Sequence, residues 1–152
     1  MENRNSTLKD EGGRMKLWQG TIALAILLAQ PSSFSFGAED ADRLFTLKVL
    51  PILKDKCYGC HGNDADDVKG DLDVRTREAL LRGGESEEPA IVAGKPDESP
   101  LYLAVMWDGM EMPPKENDRL TEEQTKFVRR WIEAGAPWPT QEAQDSIRKQ
   151  EW

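Results

Sequence analysis

Cys57, Cys60 and His61 are the residues of this chain best equipped for chemistry, and they stand together as Cys57-Tyr58-Gly59-Cys60-His61. Two thiols three positions apart, with an imidazole directly after the second, make the pattern by which a c-type haem is attached covalently. Each thiol adds across one vinyl group, and the imidazole gives a nitrogen to the iron. On one helical turn, positions i, i+3 and i+4 share a face, so both sulfurs and the ring can meet a single flat porphyrin. Other uses of Cys-x-x-Cys are short of parts. With two Cys and one His in the whole chain, a four-ligand Cys/His zinc site cannot be closed within one molecule. A thioredoxin-like disulfide site would want a βαβ setting around the motif, and the flanking sequence offers none.

Because His61 is the only histidine, bis-histidine ligation within one chain is excluded. Methionine is then the side chain suited to the second axial position of a low-spin haem. Met1 and Met15 lie in or before a candidate export segment, which leaves Met106, Met110 and Met112. Met112 is followed by Pro113-Pro114, whose rings fix φ and remove two backbone donors, so this loop is expected to hold a thioether in place. Met112 is the expected sixth ligand and Met110 the second choice; Met106 is expected to pack against core.

A chain of 152 residues supports one domain, with length to spare if an N-terminal signal is removed. With 38% hydrophobic and 32% charged residues, it suits a small soluble domain whose prosthetic group forms part of the core. The net charge is −8, and from residue 39 onward 16 Lys and Arg stand against 25 Asp and Glu, a net −9. Such a chain is repelled by nucleic acid and by anionic membrane surfaces. Basic redox partners are expected instead, since complementary charge steers encounter.

Arg14 and Lys16 lead into an apolar run over 17–29. As a helix this run would reach only about 20 Å, short of the roughly 30 Å hydrocarbon core. It reads as a secretory signal over 1–38, cleaved near Gly37 or Ala38, leaving no membrane span. The basic-then-apolar pattern begins afresh at Met15, so Met1 and Met15 are both open as start positions. Export fits the motif, because bacterial covalent haem attachment takes place outside the cytoplasmic membrane. The expected location is the periplasm or another exported compartment.

Residues 39–139 read as the domain and 140–152 as a polar tail, either a linker or a disordered end. From Asp40 to Cys57 the pattern predicts a helix bent or restarted at Pro51, with Leu44, Phe45, Leu47, Val49 and Leu50 as its apolar side. The acidic turn 62–67 lacks the spacing and terminal Glu of a calcium loop and reads as solvated. Residues 69–74 alternate as a short extended piece would. Thr76 should cap a helix over 77–82 that Gly83-Gly84 stops, and Ser99 should cap one opened by Pro100. Tyr102 and Trp107 could reach a haem propionate, though aromatic residues so placed commonly form core. Thr121-Glu122-Glu123-Gln124 predicts a capping box; Phe127, Val128, Trp131 and Ile132 make the stripe of the helix that follows, and Gly135 ends it.

Taken in order, Phe45 with Val49-Leu50-Pro51-Ile52-Leu53, Cys57-Tyr58-Gly59-Cys60-His61-Gly62, Lys69-Gly70-Asp71-Leu72, Gly83-Gly84-Glu85-Ser86, Ala93-Gly94-Lys95-Pro96-Asp97-Glu98-Ser99, Met112-Pro113-Pro114 and Trp131-Ile132-Glu133-Ala134-Gly135-Ala136-Pro137 resemble the planctomycete-type cytochrome c domain over about residues 42 to 139. The resemblance implies an all-α, class I-like cytochrome c fold, with three to five short helices and long loops around one covalently bound haem c. It implies crossing N- and C-terminal helices, His61 below the iron and Met112 above it. It also implies a secreted bacterial electron carrier or haem module, and filling both axial positions argues against catalysis at the iron. Such domains commonly open longer proteins, so a relay module of a larger secreted enzyme is one alternative. A haem-based sensor of CO or NO is another.

Overall fold

The chain begins its described structure as one long helical rod. A computed structural model describes residues 37–64 and 66–151; apart from residues 37 and 38, the expected signal segment lies outside the described residues. The rod consists of α1 (Ala38–Leu44), a π turn (Phe45–Val49) and α2 (Leu50–Lys56). Pro51 explains the π turn. Proline has no N–H and its ring crowds the carbonyl four residues back; in the wider turn the Leu50 N–H reaches back to Phe45 O, and the helix passes through Pro51. The expected restart at proline is thus a local widening. Cys57 N–H still donates to Leu53 O at 2.9 Å, and a single further turn, α3 (Tyr58–His61), carries the chemistry.

The second large element is α6 (Glu122–Glu133). Its capping box forms as the sequence predicts: Gln124 N–H donates to Thr121 Oγ1 at 3.2 Å, and Thr121 N–H donates to Gln124 Oε1 at 2.9 Å. The helix ends before Gly135, whose φ of 91° is cheap only for glycine. Val128, Trp131 and Ile132 are buried against Phe45, Val49 and Leu53 of the rod. Phe45 lies with ring centroids 4.4 Å from Trp138 and 5.8 Å from Trp131. Trp131 Nε1 donates to Pro137 O at 2.8 Å, so its polar atom is satisfied. Each fully buried large side chain contributes about 1.5–3 kcal/mol by transfer from water, which makes this crossing the mechanical base of the fold.

Between rod and α6 run α4 (Arg77–Arg82) and α5 (Pro100–Met106). Thr76 caps α4 as expected, accepting from Ala79 N–H at 3.2 Å. Arg77 Nε and Nη2 donate to the Ala136 and Gly135 carbonyls at 2.9 and 3.2 Å, tying α4 to the end of α6. Ser99 departs from expectation. It is fully buried and stands at the start of α5, but its hydroxyl donates to Lys95 O at 2.8 Å and accepts from Val92 N–H at 2.9 Å. It ties down the 92–95 loop rather than capping the helix. The expected extended piece at 69–74 is a 3-10 turn over Lys69–Asp71 followed by irregular chain, with φ of 61° at Gly70 and 49° at Asp71.

The fold is all-α, with no strand among the described residues. Among the described residues the three to five helices expected become seven α-helical segments, because the π turn divides the rod, the motif forms its own turn, and the tail is helical. α7 (Gln141–Gln150) stands where a linker or disordered end was expected. It has almost no apolar face and is held instead by polar contacts. Gln144 is buried and donates from Nε2 to Pro139 O at 2.9 Å, while Arg148 donates to Gln144 Oε1 at 3.1 Å. Arg43 of α1 pairs with Glu151, and α7 lies against α1 and the π turn.

Candidate functional site

The α3 turn presents Cys57, Cys60 and His61 on one face, as the i, i+3, i+4 spacing requires. His61 N–H and Cys60 N–H both donate to Cys57 O, at 2.9 and 3.2 Å, so the five-residue motif is wound into a single turn. These three side chains open onto a cavity of about 130 Å³ whose other walls are Lys56, Lys69, Val105, Met112, Pro113 and Pro114. A second ridge of the fold thus reaches the motif. Val105 comes from α5, and Met112 from the loop that follows it. The cavity is smaller than the roughly 300–1,000 Å³ that encloses a whole small molecule. A group as large as a porphyrin would therefore sit there only in part, or after the 112–114 loop moves outward.

His61 is held through both its backbone and its ring. Its Nδ1 lies 3.1 Å from Leu72 O. A carbonyl can only accept, so the proton is on Nδ1, and Nε2 keeps the lone pair that a metal would take. Val74 N–H donates to His61 O at 3.0 Å. Arg75 lies over Gly62, where a methyl group would come within 2.7 Å of Arg75 Cγ and Cδ. Arg75 is itself fixed by Asp73 through Nε and Nη2, and those hydrogen bonds hold the Asp73 carboxyl below the usual carboxylate range.

The thiols differ. Cys60 is exposed. Cys57 is half-buried, and that burial, with the Asp55 carboxylate and Cys60 adding to it, pushes its thiol up to about 11. Disulfide exchange by a Cys-x-x-Cys pair works through a thiol lowered towards neutral pH, so Cys57 is tuned in the wrong direction for that use. Thioether formation leaves a neutral sulfur, which suits the apolar wall.

Of the three candidate methionines, only Met112 lines the cavity. Its N–H donates to Ala104 O at 3.0 Å and Pro113 behind it is buried, so the loop is moored to α5. Met110 is 54% exposed. Met106 overturns its expectation as core: it is 41% exposed, because it is the last residue of α5 and the chain turns left-handed at Trp107, with φ 63°. Tyr102 is buried, with Arg129 Nη1 at 3.5 Å from its hydroxyl, away from the cavity. Trp107 Nε1 is buried without a partner, while Arg119 stacks on its ring at 4.8 Å; neither aromatic residue lines the cavity.

Sequence reasoning missed Lys56 and Lys69 as cavity walls and the Leu72 carbonyl as the partner of His61. The rim lysines are both paired, Lys69 with Asp67 at 2.7 Å and Lys56 with Asp55 at 3.4 Å. Among the described residues no group of three or more His, Cys, Asp or Glu side chains could hold a bare metal ion, and no helix is long and apolar enough to cross a membrane. The donors at the cavity are two thiols, one imidazole nitrogen and one thioether, which is the set that covalent attachment and His/Met ligation of a haem would use.

Residues 57–116 match the family model described as Planctomycete cytochrome C. The match begins at Cys57 and runs just past the Met112 loop, while the rod, α6 and α7 lie outside it. No curated protein and no solved structure matches the chain.

Proposed function

We propose that this chain, whose residues 57–116 match the Planctomycete cytochrome C family model, is an exported one-electron carrier. In this reading it holds a single haem c through Cys57 and Cys60, with His61 and Met112 as axial ligands. The observation that carries the reading is convergence: four donors from two separate parts of the chain open onto one cavity whose remaining walls are Val105, two prolines and two lysines. A haem bound there would supply a one-electron iron couple, whose potential a thioether ligand raises compared with two nitrogen ligands.

The chain's own residues have the following parts. Cys57 and Cys60 retain the group by thioether bonds in a compartment where free haem could be lost. His61, its Nδ1–H turned to Leu72 O, offers Nε2. Met112, moored through Ala104 O, would give its thioether to the iron, a closure that would leave no open position for a substrate. Electron transfer rather than catalysis at the iron follows from that closure. The lysines at the rim are neutralised by Asp55 and Asp67, so steering falls to the net −9 of the chain from residue 39, which favours basic redox partners. The signal over 1–38 delivers the chain across the cytoplasmic membrane.

The test is the visible spectrum of the protein produced with a c-type haem maturation system. A sharp reduced α band with the ferric methionine-to-iron band at the red edge of the visible is expected. A high-spin spectrum would replace electron carriage with ligand binding, and a product with no covalent haem would end the reading.

A further inference from the structure

We propose that Gly84 is a positioning residue for His61: its bare Cα seats the backbone of residues 70–72, and that seat sets how firmly the Leu72 carbonyl holds the imidazole. The inference rests on the reading of His61 as an iron ligand. The contact is backbone on backbone. A methyl group on Gly84 would overlap the Gly70 carbonyl oxygen and come within 2.9 Å of Leu72 N and 3.0 Å of Asp71 C. Beside it, Glu85 N–H donates to Gly70 O at 2.9 Å. The far end of the same strap is tied by Val74 N–H to His61 O at 3.0 Å, and between the two ties Leu72 O meets Nδ1 at 3.1 Å. Gly84 thus stands one strap away from the ring, although twenty-three positions separate it from His61 in the sequence.

The chemical consequence has a direction. An Nδ1–H bonded to a carbonyl makes the imidazole a more basic ligand, which favours the ferric state and lowers the reduction potential. A side chain on Gly84 would displace the strap and change the bond to Leu72 O: a longer bond raises the potential and a shorter one lowers it. The neighbouring Gly83 is the internal control. A methyl group there would overlap the Glu88 carbonyl, and its φ of 83° disfavours alanine, but it meets no atom of the strap.

The experiment compares holoproteins carrying Gly84→Ala and Gly83→Ala by potentiometric titration, and follows exchange of the His61 Nδ1 proton by NMR. Gly84→Ala should keep its low-spin spectrum, change the exchange rate by about tenfold or more and shift the potential with it, upward with faster exchange or downward with slower. Gly83→Ala should lose stability yet leave both quantities at the wild-type value. An unchanged potential and exchange rate in Gly84→Ala, or equal changes in the two variants, would overturn the proposal. Should Gly84→Ala yield no holoprotein, the wild type decides. The Glu85 amide and the His61 Nδ1 proton should then exchange with the same dependence on denaturant, since one movement of the strap frees both; independent exchange overturns the assignment. Failure of the wild type to take up covalent haem would bring down the cytochrome reading itself, a separate outcome.

Discussion

Replacing Phe45 with leucine isolates the contribution of the crossing between the rod and α6. Phe45 is completely buried, with ring partners at 4.4 Å (Trp138) and 5.8 Å (Trp131), inclined at 47° and 34°. Leucine keeps most of the apolar burial but forfeits both ring contacts. At about 0.5–1.5 kcal/mol for each aromatic pair beyond its buried area, the loss comes to about 1–3 kcal/mol. Phe45→Ala also removes the bulk and should cost about 3–5 kcal/mol, a large part of the roughly 5–15 kcal/mol by which such domains are stable. The assay is guanidinium unfolding of the holoprotein followed by circular dichroism, with the midpoint lowered and the slope unchanged. Phe45 is not a wall of the cavity, so the visible spectrum of both variants should match the wild type. A Phe45→Leu variant within about 0.5 kcal/mol of wild type would refute the aromatic argument, and an altered spectrum would refute the separation of crossing from site.

Met112→Ala should abolish the ferric methionine band while leaving haem attached, whereas Met110→Ala and Met106→Ala, at surface positions, should leave it intact; persistence of the band in Met112→Ala transfers the ligand role to another residue. Ser99→Ala leaves the part-buried Val92 N–H without its side-chain partner and should cost about 1–3 kcal/mol, with faster exchange of the Val92 amide; an unchanged amide would refute the tie between the Ser99 hydroxyl and the 92–95 loop. For Asp73 the sign follows from its depressed folded value: the pair with Arg75 adds stability above the ordinary carboxylate pKa and loses it as pH falls through the folded one. Asp73→Asn should therefore cost about 0.5–1 kcal/mol near neutral pH, an amount kept small by the exposure of Arg75. At acid pH that difference should vanish, and a deficit that persists in acid would show that the carboxylate charge is not its source.

What could be read ahead of the structure was local. The Thr121–Gln124 box, the Thr76 cap and the α6 stripe each depend on residues within one or two turns, and each forms as the pattern requires. Cys57, Cys60 and His61 share a face for the same reason. Features that depend on distant chain were not legible. Ser99 has the signature of a cap, but its hydroxyl is claimed by Lys95 and Val92. Gln144 looks like solvent-exposed tail, yet Pro139 O and Arg148 satisfy it in the interior. The Leu72 carbonyl could not have been found at all, because a backbone acceptor has no residue-type signature. Met106 and Met112 are the same residue type six positions apart, and what separates them is the left-handed turn at Trp107, a conformation that this non-glycine residue does not announce.

The two proposed axial ligands rest on separate supports. His61 is braced by the strap of residues 70–75, seated on Gly84 and Glu85. Met112 is braced by Ala104 of α5, and α5 lies against α6 and the Pro96–Glu98 turn. The cavity is thus a joint between two walls with different anchors, with the α3 turn beside both. The histidine side can then be tuned through the strap without loosening the methionine. Conversely, an outward movement of the 112–114 loop, one of the two ways in which a 130 Å³ cavity could take a porphyrin, would draw on the Ala104 anchor rather than on the Leu72 bond. In the proposed haem complex, strain introduced at one wall should reach the other through the iron, read as a change in potential.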